Sequence, residues 1–226
     1  MKANELAFFG KIAAGVTHEL KNVLAIINES NGLMADLLAM LKETPFAYRE
    51  KFQRSIGKIE EHVRRGVEIT SRFNGFAHSV DQPVANIDLN TIVTQTVSLA
   101  ARFARLQHVE LKGVACDHPV MLVTNPFRVQ MALTRVIEVF TGCMSGSGSI
   151  LLQVREDLDP PWLDFCFEGE SGEKVVKEAV AEFSEWREFE ELASILDMRY
   201  EWQMPDGGFA LFFSDASARE LSTPSK

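Results

Sequence analysis

Apolar residues near the start of the chain fall at Leu6, Phe9, Ala13, Val16, Leu20, Val23, Ile27, Met34, Leu37 and Leu41. The steps alternate between three and four, broken only where Ser30 takes a seam position. A period of about 3.5 held over roughly five heptads is the seam of a coiled coil or helical bundle. It predicts one long helix, about 60 Å for some 40 residues. Glu43-Thr44-Pro45-Phe46 interrupts it, because proline disfavours helix in the residue before it. A second seam follows at Phe52, Ile56, Ile59, Val63, Gly66, Thr70, Phe73, Ala77 and Val80. Two long helices joined by a short turn make a hairpin. One hairpin cannot hide two seams of this length, so the pattern points to a homodimer in which residues 1–80 of two copies form a four-helix bundle.

Asp81-Gln82-Pro83-Val84-Ala85-Asn86 is polar and contains proline, and residues 81–88 read as a linker. Beyond it the pattern changes. Asp88 or Asn90 caps a helix to about Arg105, and Val109–Lys112 and Val120–Val123 read as short strands. Pro126 opens a helix to about Met144. Ser149–Arg155 and Trp162–Phe167 are strands around the turn residues Asp157–Pro161. Glu173–Leu196 reads as mostly helical. Arg199–Gln203 and Phe209–Phe213 close the chain as a hairpin around Pro205-Asp206-Gly207-Gly208. The fold class is α+β, a helical hairpin followed over residues 89–213 by an α/β sandwich with helices on one face of a mixed sheet. Residues 214–226 are small and polar and read as a disordered tail.

The net charge of −9 leaves no basic excess for nucleic acid. No apolar run reaches the roughly 18 residues that would span a bilayer, and the N-terminus lacks the pattern of a signal peptide. The expectation is a cytoplasmic protein with no nucleic-acid or membrane partner. Cys116, Cys143 and Cys166 are widely spaced and form no C-x-x-C pair, so they read as free, partly buried thiols. Cys116-Asp117-His118 reads as a loop before a strand. Gly142-Cys143-Met144-Ser145-Gly146-Ser147-Gly148 lacks the Lys-Ser/Thr of a phosphate-binding loop and precedes a strand, so it needs no ligand.

The candidate chemistry lies in Gly15-Val16-Thr17-His18-Glu19-Leu20-Lys21-Asn22. With Val16 at heptad position d and Leu20 at a, His18 is at f, furthest from the seam, and Asn22 lies one turn on along the same outer face. A neutral imidazole is a competent nucleophile near pH 7. A carboxylate that accepts from its other ring nitrogen would fix the tautomer, and Glu19 is the carboxylate at hand. Asn22 could orient a water for hydrolysis. The plain alternative is a solvated surface histidine, and His62 and His78 on the second helix are read that way.

His18-Glu19-Leu20-Lys21-Asn22, on the first helix of a dimeric hairpin, resembles the phosphoacceptor box of two-component sensor histidine kinases. The resemblance implies His18 as phosphoacceptor, Glu19 as base and Asn22 as the amide that serves dephosphorylation of the partner response regulator. Asn86-Ile87-Asp88-Leu89-Asn90 is similar to the segment that opens the family's ATP-binding domain. Thr124–Leu133 is similar to the entry of its nucleotide-binding helix, which in the family carries two asparagines, the later one binding the magnesium of ATP. Arg135 and Val139 stand at those positions, and neither supplies the oxygen donor that magnesium requires. Glu168-Gly169-Glu170-Ser171-Gly172 stands where the family has Asp-x-Gly-x-Gly. No lid and no second glycine-rich box follow.

These losses in one pocket speak against ATP. An intact phosphoacceptor box beside an eroded nucleotide domain resembles the stand-alone histidine phosphotransferases of bacterial phosphorelays. The expected activity is transfer of a phosphoryl group between the aspartates of two response-regulator receivers through His18. The chain then needs no cofactor, since the receiver brings the magnesium. Docking is expected on Asn22, Ala25, Ile26 and Glu29, with Arg72 across the hairpin stabilising phosphoryl oxygens; an ordinary surface arginine is the alternative for Arg72. A divergent ATP-dependent sensor kinase and a non-catalytic dimeric receiver-binding module remain open, and regulator phosphatase activity is compatible with either.

Overall fold

A computed structural model describes residues 3–40, 49–79, 84–144, 148–169, 173–203 and 208–214. Residues 1–2, 41–48 around Pro45, 80–83, 145–147, 170–172 and 204–207, and the tail from 215 onward lie outside the described residues, and with them Leu41 and Val80 of the expected seams. The chain divides into two compact units, Met1–Ala77 and His78–Lys226.

The first unit is the helical hairpin, α1 (Ala3–Met40) and α2 (Arg49–Ser79). Its central line on α1 runs through Val16, Val23, Ser30 and Leu37, seven apart and all buried, continued towards the N-terminus by Phe8 and Ile12. Opposite, Ser55, Ile69 and Phe76 are buried, and Ile59, His62, Gly66 and Phe73 are half-buried. The two lines lock at both scales. Phe8 meets Phe76 edge-on at 5.7 Å, and Phe9 stacks on Phe76 at the same distance. A side chain at Gly66 would begin 3.3 Å from Val23 Cγ1, so the glycine admits the valine.

The line on α2 corrects the seam expected there. Ile56 and Val63 are nearly half exposed, at 46% and 47%, and Thr70 is exposed as well. Of the expected seam, Ile59, Gly66 and Phe73 do turn inward, and the other inward positions, Ser55, His62 and Ile69, lie one residue before Ile56, Val63 and Thr70. The apolar period singles out Ile56 and Val63 because Ser55 and His62 are polar. His62 is corrected for the same reason: it belongs to the inward stripe, half-buried, with Nδ1 enclosed and without a hydrogen-bond partner among the described residues. The side chain of His78 lies outside the described residues.

In the second unit β1 (Ala85–Asp88) pairs antiparallel with β3 (Met121–Thr124). A five-stranded sheet has the order β2 (Val109–Val114), β4 (Gly148–Arg155), β5 (Trp162–Gly169), β7 (Gly208–Phe212), β6 (Arg199–Gln203). Only β2 and β4 are parallel. Strand alternation turns Ile150, Leu152, Leu163, Phe165, Phe209 and Leu211 into the core, all with no exposed surface. The helices α3 (Leu89–Leu106), α4 (Pro126–Cys143) and α6 (Ser184–Leu196) cover that side. Cys143 is buried, and Cys116 and Cys166 are half-buried.

One expectation changes. Part of the expected linker is strand β1, where Asp88 does three jobs. Its Oδ1 accepts from the amides of Asn90 and Val120, and its Oδ2 accepts from the Thr91 hydroxyl. The carboxylate thus caps α3 and ties that helix to the start of β3. The segment Glu173–Leu196, expected to be mostly helical, is so, as α5 (Glu173–Ala179), a 3-10 turn at Val180–Glu182, and α6. Phe183 separates the last two in an extended conformation and lies against α4, where a Cβ on Gly142 would come within 2.7 Å of its ring.

Burial works against ionisation of Asp88, but its donors outweigh burial and hold the carboxyl below its ordinary value of 3.8. A carboxyl more acidic folded than unfolded contributes stability that is complete above its unfolded value and is lost as pH falls through the folded one. Asp88→Ala is expected to cost about 1–2 kcal/mol in urea denaturation at pH 7. The gap between mutant and wild type is expected to close as the pH is taken below 3.8.

Candidate functional site

His18 and Asn22 are both exposed on α1, one turn apart, and the Asn22 carboxamide nitrogen lies 3.2 Å from His18 Nδ1. The inner ring nitrogen is therefore engaged by the helix's own next turn, and Nε2 is the outer one. Glu19 is half-buried, a helical step of about 100° round from His18. The residue recorded against Nδ1 is thus the amide, where the sequence pointed to the carboxylate.

Helical geometry divides the hairpin into two flanks. At roughly 100° per residue, His18, Asn22 and Glu29 fall on one side of the buried line, and Leu6, Ala13, Leu20 and Leu24 on the other. An open groove of about 620 Å³ runs between α1 and α2 on the first side. Ile26, Glu29, Leu33 and Asp36 line it from α1, and Lys51, Arg54 and Lys58 from α2, with Ser30 and Ser55 at its floor. Of the expected docking residues, Ile26 and Glu29 line this groove and Ala25 is exposed beside it. Arg72 is half-buried on α2 and forms an ion pair with Glu68 at 3.9 Å, one turn away. The basic edge of the groove was not singled out from sequence, although Lys51, Arg54 and Lys58 recur at helical spacing.

The opposite flank is apolar on both helices. Leu6, Leu24 and Val67 are 58%, 62% and 60% exposed, and Ile56 and Val63 extend the same stripe on α2. Since the groove joins the polar flanks, the apolar flanks of the two helices face the same way.

In the second unit the residues do not fit a magnesium–nucleotide pair on α4. Val139 is fully buried. Arg135 is itself nine-tenths buried and held between two acids, with Nη1 2.8 Å from Glu138 and Nε 2.8 Å from Glu188. The Glu188 contact is an ion pair lying off the hydrogen-bonding direction. Glu188 comes from α6, so a salt bridge joins the two helices there. Above it Phe140 meets Trp186 at 6.2 Å and Phe209 at 5.1 Å. Neither a guanidinium nor a valine gives magnesium an oxygen. Glu168 accepts from the Ser149 hydroxyl at 2.8 Å across β4 and β5. Gly169, at φ 135°, keeps the turn conformation that glycine favours. Glu188 was invisible to sequence reasoning because nothing in its spacing marks it as a partner of Arg135.

Elsewhere, His118 Nε2 lies 2.6 Å from Glu156 in the exposed loop expected before β3. Among the described residues no group of three or more His, Cys, Asp or Glu side chains is placed to hold a metal ion. No helix among them is long and apolar enough to cross a membrane.

No protein-family profile matches the sequence, and no curated protein matches it. Similar solved structures include a bacterial phosphotransferase at 1.7 Å resolution, at 13% identity and a TM-score of 0.42, covering 93% of this chain and 96% of that one. The cytoplasmic segment of the histidine kinase QseC is similar at 14% identity and a TM-score of 0.42, over 68% of this chain and 95% of that one. The Acinetobacter baumannii histidine kinase AdeS is similar at 10% identity and 0.43, over 88% and 98%. At these identities and scores the likenesses assign no activity to this chain.

Removing the cation from the α4–α6 bridge leaves two carboxylates facing each other. Arg135→Met is expected to cost about 2–3 kcal/mol, below the usual cost of breaking a buried pair because Glu188 keeps access to water. Adding Glu188→Gln is expected to recover most of that loss. Urea denaturation of the full chain followed by tryptophan fluorescence measures both.

Proposed function

We propose that the protein is a homodimeric histidine phosphotransferase of two-component signalling, with His18 as the phosphoryl carrier between receiver aspartates. The observation that carries the reading is the exposure of His18, with Asn22 at its inner nitrogen, on the flank away from the apolar stripe. A second copy covering Leu24, Val63 and Val67 completes a four-helix bundle and leaves His18 open to a visiting protein. The receiver docks along the polar flank, over Ala25 and into the groove at Ile26 and Glu29, about 12 to 16 Å from His18 along the helix.

The step uses an acyl phosphate that the receiver has already formed. The lone pair of His18 Nε2 attacks phosphorus, the Nε2–P bond forms, the P–O bond to the aspartate breaks, and the aspartate leaves as a carboxylate. The same step in reverse loads a second receiver. Magnesium travels with the receiver, and this chain supplies the nucleophile and the docking surface. Arg135 and Val139 on α4 weigh against a kinase that draws its phosphate from ATP. Glu19 and Asn22 are also suited to aligning a water, which makes hydrolysis of a receiver's phosphate a side activity of the same site.

Two measurements test the reading. Mixed with a phosphorylated receiver, the wild-type chain is expected to take up phosphate and pass it to a second receiver, and His18→Gln to take up none. Complex formation without labelling of the wild type would instead mark a binding module. Leu24→Glu combined with Val67→Glu is expected to yield a helical monomer by light scattering and circular dichroism; an unchanged dimer would move the interface elsewhere.

A further inference from the structure

The 3.2 Å contact between Asn22 and His18 Nδ1 has a chemical consequence. A neutral imidazole carries one proton, and the hydrogen bond at one nitrogen decides which nitrogen keeps it. If the Asn22 NH2 donates to Nδ1, that nitrogen must present its lone pair, the proton sits on Nε2, and the outward nitrogen is a donor. In that state His18 is no nucleophile towards a visiting protein. A half-turn of the carboxamide exchanges its oxygen and nitrogen while the remaining heavy atoms stay in place. The oxygen then accepts from Nδ1–H, and Nε2 faces solvent with its lone pair free.

We propose that Asn22, rather than Glu19, is the positioning residue that sets the tautomer of His18, and that its oxygen-inward orientation is the reactive one. Three features support this. Asn22 is one turn along on the same helical face, the spacing at which side chains meet. Glu19, the adjacent residue, projects about 100° round the helix and is half-buried. His18 and Asn22 are both exposed, so neither is locked by packing and the carboxamide can turn.

During transfer the Nδ1 proton stays on the ring. Attack by Nε2 forms the N–P bond and breaks the bond to the leaving group, leaving a phosphorylated imidazolium whose Nδ1–H points at the Asn22 oxygen. The amide thus stabilises positive charge that develops only as the bond forms, which lowers the barrier. The inference rests on the phosphotransferase reading for its biological use, but not for its test.

The test uses the full chain labelled with nitrogen-15, with the His18 ring signals assigned by their loss in His18→Gln. In wild type the two neutral tautomers are expected in exchange, with Nδ1–H well populated. Asn22→Asp, which can only accept, is expected to shift the ring wholly to Nδ1–H, and Asn22→Leu to abolish the bias. Phosphoramidate, a small donor that needs no receiver, is the probe of reactivity. It transfers its phosphoryl group to Nε2 with loss of ammonia. Its rate at His18 is expected to be kept or raised by Asn22→Asp and lowered about tenfold or more by Asn22→Leu. Identical tautomer ratios in wild type and Asn22→Leu would overturn the inference, as would a rate that falls with Glu19→Gln and not with Asn22→Leu. Tautomer control by Asn22 in a protein that accepts nothing from any receiver would uphold the inference and remove the function proposed above.

Discussion

The burial of one heptad line governs this protein. Val16, Val23, Ser30 and Leu37 are buried on α1 and Ser55, Ile69 and Phe76 on α2, with Phe8 against Phe76 and Val23 against Gly66, and this packing fixes how α1 is rotated. Rotation decides chemistry here. With Val16 turned inward, His18 must turn outward, since two residues along a helix carry a side chain through about 200°. The same constraint divides what is left into a polar flank, with the groove between Glu29 and Arg54, and an apolar flank at Leu24 and Val67. The apolar packing that stabilises the hairpin therefore also turns the His18 imidazole to solvent.

The second unit shows the opposite use of a similar resource. On α4, Arg135 is held by Glu138 and by Glu188 of α6. A buried ion pair of this kind adds little net stability over apolar packing, yet breaking it is costly. It holds α6 against α4 beside the Phe140–Trp186–Phe209 cluster. The tie at Asp88, which joins strand, helix cap and the next strand, belongs to the same economy of framework contacts.

Much of this was legible from the amino-acid pattern. The long helices, the strand at Val109, the proline that opens α4 and the capping by Asp88 each follow from local rules, because the responsible residues are neighbours in sequence. The outward orientation of His18 followed too, since it depends only on period. What was not legible depended on a choice between adjacent stripes or on a distant partner. On α2 the inward Ile59, Gly66 and Phe73 were legible, but Ser55 and His62 on the same face are polar, and the more apolar Ile56 and Val63 beside them fit the period in their place. Glu188 meets Arg135 across some fifty residues of intervening chain. The break at Phe183 answers to Gly142 on another helix. The contact of Asn22 with Nδ1 lay within reach of the helical spacing, but an adjacent carboxylate offered a simpler partner.

The central claim is that phosphate reaches His18 from another protein and not from a nucleotide held by this chain. Offering both donors to the same preparation tests it directly: a receiver carrying labelled aspartyl phosphate, and γ-labelled ATP with magnesium, each with His18→Gln as control. Label on His18 from the receiver alone is the expected result. Label from ATP that depends on His18, in the absence of any receiver, would contradict the account.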